Sequence, residues 1–184
     1  MASAQKSQAA ILEKLGIESL NTMQEKAYDA ISNHPNTVLL SPTGTGKTLA
    51  FLLPILPLLD PSLEAVQVLI LVPSRELAIQ IEQVVREMGS GFKTNAVYGG
   101  RAGTKDKLDL QHPPAILIGT PGRISDHLTR ETIATDHIKI LVLDEFDKSL
   151  EVGFTEQMQE IVEALPNLDK KILTSATQKV KVPK

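Results

Sequence analysis

The chain predicts an α/β domain built on an open, mostly parallel sheet with helices on both faces. Three observations carry that expectation. Short apolar runs of strand length alternate with segments whose apolar residues recur at helical spacing. The runs are nearly continuous in apolar residues, as strands covered on both faces must be. Polar and Gly-rich motifs recur where the runs end, which sets them along one edge of the sheet. A length of 184 residues suits one domain with a sizeable core and is short for two.

Taken in order, Ala9, Ile11, Leu12 and Leu15 suit a short helix stopped by Gly16, with Ile17 and Leu20 buried after it. A second helix starts near Thr22, where Thr22-Met23-Gln24-Glu25 fits a capping box and puts Gln24 in an exposed first turn. His34-Pro35-Asn36 ends it. Residues 37–49, TVLLSPTGTGKTL, then give a β-branched strand, a loop of Ser41, Pro42, Thr43, Gly44, Thr45 and Gly46, and a helix opened by Lys47 and Thr48. That helix carries Leu49, Phe51 and Leu52 and is limited by Pro54 and Pro57. The run AVQVLILV, residues 65–72, is a central strand ended by Pro73-Ser74-Arg75-Glu76. Leu77, Ile81, Val84, Val85 and Met88 line one face of the next helix, which Gly89 stops.

Residues 94–98 are a third strand closed by Gly99-Gly100, and residues 105–110 a short polar helix. AILI, residues 115–118, is a buried strand followed by Gly119-Thr120-Pro121-Gly122-Arg123. IKILVL, residues 138–143, ends at Asp144-Glu145-Phe146-Asp147. A helix with Met158, Ile161, Val162 and Leu165 on one face follows, ended by Pro166-Asn167. KILT, residues 171–174, is the last strand and ends at Ser175-Ala176-Thr177, and the tail from Gln178 is extended or frayed.

Composition narrows the function. A hydrophobic fraction of 42% with 22% charged residues fits a soluble globular chain, and no stretch is apolar and long enough to span a bilayer. The first seventeen residues lack the unbroken apolar core of a secretory signal, so the expected setting is cytoplasmic. With no Cys, disulfides and thiolate metal sites are excluded, and His34, His112, His127 and His137 form no metal-ligand pattern. A net charge of −3 provides no global basic field, and 3% aromatic residues argue against a base-stacking surface, so a nucleic-acid site must be local.

The chemistry gathers around the Gly-rich loop. A turn between a buried strand and a helix aims several N–H groups at one point, at the positive end of the helix dipole, which suits a polyphosphate. Lys47 would reach the β- and γ-phosphates, and the Thr48 hydroxyl would ligate Mg2+. The strict phosphate-loop pattern fails only at Ser41, where Gly is expected. Asp144, after ILVL, would emerge beside the loop and hold Mg2+ opposite Thr48, and Glu145 would polarise the attacking water.

In this order the motifs closely resemble those of the first RecA-like domain of a DEAD-box ATP-dependent RNA helicase. The matching pieces are Gln24 as the Q-motif glutamine, SPTGTGKT (41–48), PSREL (73–77), Gly99-Gly100, TPGR (120–123), DEFD (144–147) and SAT (175–177). The resemblance covers almost the whole chain, makes residues 1–184 one helicase ATP-binding domain, and implies ATP and Mg2+ as cofactors. It implies that Gln24 recognises adenine, and that Pro73, Ser74, Arg75, Gly99, Gly100, Arg101, Thr120, Pro121, Gly122 and Arg123 grip one RNA strand by its backbone. Ser175, Ala176 and Thr177 would couple the nucleotide site to domain closure. A monomer is implied, acting with a second RecA-like domain of the same parent that supplies arginine fingers and lies outside these residues; alone, this half would bind nucleotide weakly and hydrolyse it very slowly. Two departures stand out. Phe146 replaces the family's Ala in DEFD, placing a bulky ring near the phosphate loop and the SAT motif, and no Phe, Tyr or Trp precedes Tyr28 to stack on adenine. A small P-loop phosphotransferase and a non-catalytic scaffold stay open as other readings.

Overall fold

The computed structural model of the chain describes residues 7–42, 46–99, 105–106 and 110–176. Its strands are β1 (Asn36–Leu40), β2 (Val68–Leu71), β3 (Thr94–Val97), β4 (Ile116–Gly119), β5 (Ile140–Leu143) and β6 (Lys170–Ser175). They form one sheet in the order β1-β6-β5-β2-β4-β3, and every neighbouring pair is parallel. The helices are α1 (Gln8–Leu15), α2 (Thr22–Asn33), α3 (Lys47–Ile55), α4 (Arg75–Met88), α5 (Pro121–Thr129), α6 (Phe146–Val152) and α7 (Thr155–Glu163).

The two faces of the sheet differ in composition. Val68, Ile70, Ile116, Ile118, Ile140, Val142 and Ile172 pack under α1 to α4 with Ile31, Phe51, Leu52 and Ile81. Leu69, Leu71, Leu117, Leu141 and Leu173 pack under α5 to α7 with Ile124, Phe146, Met158 and Ile161. In β2, β4, β5 and β6, β-branched residues thus cover one face of the pleat and Leu the other, with the period of two that a strand imposes. Parallel strands joined by helices bring every strand's C-terminal end to one edge, so the motifs that follow β1, β2, β4, β5 and β6 meet there.

Local chemistry explains the boundaries. Gly16 and Gly89 stop α1 and α4 in the left-handed region, as expected. The capping box of α2 is real but lies one residue earlier than expected: Asn21 is the N-cap, and its side chain accepts from the Gln24 N–H while the Gln24 side chain accepts from the Asn21 N–H. Gln24 is therefore buried, 6% exposed, and not in an open first turn. At its other end α2 is met by Lys170 of β6, whose ammonium donates to the carbonyls of Ile31 and His34. Pro54 does not stop α3 but sits in its last turn, where its missing N–H removes a bond only at the helix end; a 3-10 turn over Leu56–Leu58 follows. Two helices were not foreseen. α5 starts on Pro121, whose ring suits a first turn, and α6 is split from α7 by Gly153 at φ 96. Of the expected helix at 105–110, Lys105, Asp106 and Leu110 are helical and 107–109 lie outside the described residues, as does the tail from Thr177.

Candidate active site

Gly46, at φ 76, delivers the chain into α3, and a Cβ added there would meet Gln24 Nε2 at 2.6 Å. Glycine is required by both the backbone and the close approach. Lys47 opens the helix and is only 8% exposed. A buried ammonium needs partners, and two carboxylates supply them. Its Nζ lies 3.1 Å from Glu145 Oε1 and 3.4 Å from Asp144 Oδ1. Lys148 meets the other Glu145 oxygen at 3.3 Å.

Asp144 is wholly buried at the end of β5. Burial pushes its carboxyl above the usual carboxylate range, against the opposing pull of Lys47 and of a hydrogen bond from Thr174, while the neighbouring Glu145 charge pushes it further up. Thr174 Oγ1 donates to Asp144 Oδ1 and accepts from the Glu145 N–H at 2.9 Å. Glu145 itself sits in the left-handed region at φ 52. Asp144 Oδ2 is buried with no hydrogen-bond partner among the described residues. That oxygen and the half-buried Thr48 fit a hard cation that takes only one or two protein ligands and fills the rest of its shell with water and phosphate. Consistently, no group of three or more His, Asp or Glu among the described residues can enclose a metal on its own.

Gln24 Nε2 donates to the Gly46 carbonyl at 3.1 Å, so the expected adenine reader is already fastened to the end of the phosphate loop. Its second amide hydrogen and one carbonyl lone pair take no further hydrogen bond among the described residues. Ser41 is buried and its N–H donates to the Ser175 carbonyl at 3.1 Å, joining the loop to the end of β6; Pro42 beside it is exposed. A cleft of about 340 Å3 opens beside Gly46, Lys47, Thr48 and Glu145, with Leu15, Ile17 and Leu49 as apolar wall. Thr43, Gly44 and Thr45 lie outside the described residues.

The Phe146 ring is not beside the phosphate loop. It is 2% exposed and packs on the far face of the sheet, where it lines a groove with Leu143, Leu150, Met158 and Leu173. Strand alternation is the reason: Asp144 continues the face of Ile140 and Val142, and the left-handed Glu145 turns Phe146 to the face of Leu141.

The residues expected to grip RNA follow β2, β3 and β4, which are neighbours in the sheet. Ser74, next to the half-buried Pro73, caps α4 through the Leu77 N–H at 3.2 Å. Arg75 is exposed, with a loose contact to Glu76 at 3.6 Å. Gly99 is exposed; Gly100 and Arg101 lie outside the described residues. Thr120 is the N-cap of α5 with no capping bond from its side chain, and Pro121 is buried beside the half-buried Gly122, so the first turn of α5 follows directly on the end of β4. Gly119 is required here as well, since a Cβ would meet Ile124 at 2.7 Å.

Arg123 is less available than expected. Its Nε donates to Asp106 Oδ2 at 3.0 Å, and its side chain is only 18% exposed. The same Asp106 oxygen lies 3.2 Å from His127 Nε2, and His127 Nδ1 is 2.7 Å from the Thr132 hydroxyl. Sequence reasoning missed this cluster because its members are 17 and 21 residues apart and match no spacing rule. It also missed Thr174, although the alternation in KILTS could have found it: Thr174 shares the face of Ile172, on which α3 and Asp144 lie, and Ser175 does not. Of the expected coupling residues, Ser175 is buried and Ala176 exposed, while Thr177 lies outside the described residues.

Comparison with known proteins agrees with this geometry. The "ATP-dependent RNA helicase eIF4A" of Neurospora crassa is 40% identical over 164 residues, covering 88% of this chain and 41% of that protein. The "ATP-dependent RNA helicase CshA" of Limosilactobacillus reuteri is 38% identical over 168 residues, covering 90% and 34%. Among solved structures, a DEAD box protein from the hyperthermophile Methanococcus jannaschii superposes with a TM-score of 0.83 at 31% identity, over 91% of this chain and 47% of that one. Saccharomyces cerevisiae Dbp5, solved with Nup159, Gle1, IP6 and ADP, gives the same TM-score at 30% identity, over 94% and 47%. The chain therefore spans less than half the length of these relatives. The six-stranded parallel sheet flanked by helices is that of RecA-like DEAD-box domains. The sequence profile of the DEAD/DEAH box helicase family matches residues 21–184, and the chain belongs to that family.

Proposed function

We propose that residues 1–184 form one domain, the ATP-binding half of an ATP-dependent RNA helicase that hydrolyses ATP with Mg2+ and holds RNA by its backbone to separate short duplexes. The observation that carries this reading is the buried meeting of Lys47 with Asp144 and Glu145, on the segments that follow β1 and β5, the two strands that flank β6. Lys47 is held in readiness by carboxylates; phosphates entering the loop compete for the ammonium and draw it off Glu145. Glu145, released, takes up a water proton, while Asp144 Oδ2 and Thr48 are the groups that would hold Mg2+. Held there, Mg2+ would supply positive charge against the negative charge that develops on the phosphates. Phosphoryl transfer is mostly positioning and electrostatics, and buried, preorganised charges are suited to it.

Gln24 favours adenine from a position fixed by Asn21 and Gly46. Arg75, Gly99 and the first turn of α5 contact phosphate and sugar, which gives little sequence preference. The second RecA-like domain of the parent supplies arginine fingers and the rest of the RNA site, and the protein works as a cytoplasmic monomer. In support, no helix of the described residues is long and apolar enough to cross a membrane. Phe146, the feature that favours a non-catalytic scaffold, packs away from the phosphate site and leaves its charged residues together.

Titrating ATP and GTP against the 184-residue chain with Mg2+, together with an ATPase assay with and without RNA, tests this. Weak binding that favours ATP, and very slow hydrolysis indifferent to RNA, is the expected result. RNA-stimulated turnover by this chain alone would defeat the two-domain reading, and no nucleotide binding would favour the scaffold.

A further inference from the structure

Thr174 is wholly buried in β6, one residue ahead of the motif expected to do the coupling. The β5–β6 register pairs Leu143 with Leu173, so the next step along both strands brings Asp144 beside Thr174. Its single hydroxyl proton has a settled destination. Asp144 Oδ1 is a carboxylate oxygen that only accepts, and Thr174 Oγ1 donates to it. The hydroxyl oxygen is then an acceptor for the Glu145 N–H, at 2.9 Å.

Two consequences follow from one side chain. The Glu145 peptide lies in the left-handed region at φ 52, which a non-glycine residue keeps only where its surroundings hold it, and α6 has no side-chain cap to do so. Asp144 Oδ1 is also taken by Lys47 at 3.4 Å, leaving Oδ2 as the oxygen with no partner among the described residues. Ser175, by contrast, touches the phosphate loop through its main chain, its carbonyl accepting from the Ser41 N–H.

We propose that the Thr174 hydroxyl is a positioning group for catalysis, which fixes the Asp144 carboxylate and the Glu145 peptide together so that Asp144 Oδ2 is presented to Mg2+ and the Glu145 carboxylate is set for water. The metal and the water rest on the function proposed above; the hydrogen bonds do not. A partner of this kind behind a metal ligand contributes about 10–100-fold to metal affinity or activity.

The test compares Thr174→Val, which keeps the shape and removes the hydroxyl, with Thr174→Ser, which keeps the hydroxyl and removes the methyl. In the nucleotide-free 184-residue chain, amide hydrogen exchange at Glu145 should be slow in wild type and Thr174→Ser and fast in Thr174→Val. With a fluorescent ATP analogue titrated with and without Mg2+, Thr174→Val should lose about 10–100-fold of the Mg2+-dependent tightening, keep its Mg2+-free affinity, and be matched by no such loss in Thr174→Ser. A Glu145 amide that stays protected in Thr174→Val overturns the proposal, as does an equal loss in both variants, which would assign the effect to the methyl group. Wild-type chain that shows no Mg2+-dependent tightening sinks the proposed function and the metal part of this inference together, and the exchange measurement still decides whether Thr174 holds the peptide.

Discussion

Beside the ends of β1, β5 and β6, Lys47, Asp144 and Glu145 are buried and held by one another; beside the ends of β2 and β4, Arg75 stands at the surface and Arg123 leans on buried Asp106. Lys47, Asp144 and Glu145 are each 8% exposed or less. The Arg75 side chain is 56% exposed, and Arg123 keeps 18% while bonded to Asp106. The difference suits the two tasks proposed for these halves of the sheet. A reacting phosphate needs donors already in place in a site with little water, whereas a polyanion held along its backbone is attracted by accessible cations that displace its counterions. Arg123 lies between the two, a cation whose direction is set by buried Asp106 and His127.

Five substitutions sharpen or break that contrast. The largest effect belongs to the buried half. In the parent protein, Glu145→Gln should lower RNA-stimulated kcat by about 10^2–10^4-fold, the range for loss of a general base, and Lys47→Ala should abolish turnover through lost phosphate binding. Full ATPase activity in Glu145→Gln would mean that the water is activated elsewhere. In the other half, Gly119→Ala should destabilise the fold by about 1–3 kcal/mol, as overpacking does, because its Cβ would press on Ile124 and Val97; denaturant unfolding reads this. Arg75→Ala should weaken RNA binding by the parent and reduce the slope of log affinity against log salt by about 1, with ATP affinity unchanged. An altered ATP affinity would show that the halves are not separable.

The smallest effect is on stability against pH. Burial raises the Asp144 carboxyl, so the native chain holds that proton more tightly than the unfolded chain does. Stability from this group is then fully present at acid pH and is lost as pH rises through the raised value. Asp144→Asn carries no charge at any pH. It should melt above wild type near neutral pH, with the gain absent below about pH 4, the unfolded carboxylate range. A lower melting temperature at neutral pH would show that pairing with Lys47 outweighs burial.

Much of the fold was legible because strand and helix patterns differ in period and the motifs punctuate the strand ends. AVQVLILV announced a strand buried on both faces, and Gly89 announced the end of α4. Tertiary contacts decided what the pattern left open. Asn21 and Thr22 are both competent caps with a Gln or Glu three residues on, and the choice falls to Asn21, which turns Gln24 inward to Gly46. Likewise, nothing in DEFD says which face Phe146 takes until Glu145 adopts its left-handed conformation. In the site, Lys47, Thr48, Asp144 and Glu145 could be named from spacing, whereas Thr174 and the Asp106–His127 pair act through side chains brought together only by folding.

Lys170 gives one more consequence. Its ammonium grips the carbonyls at the end of α2, while Gln24 at the start of α2 grips Gly46. In mechanical terms α2 is a beam pinned at both supports, one on the phosphate loop and the other on the foot of β6. Sliding that beam along its axis must break a hydrogen bond at one support or the other, so Gln24 keeps a fixed distance from the strand that carries Thr174.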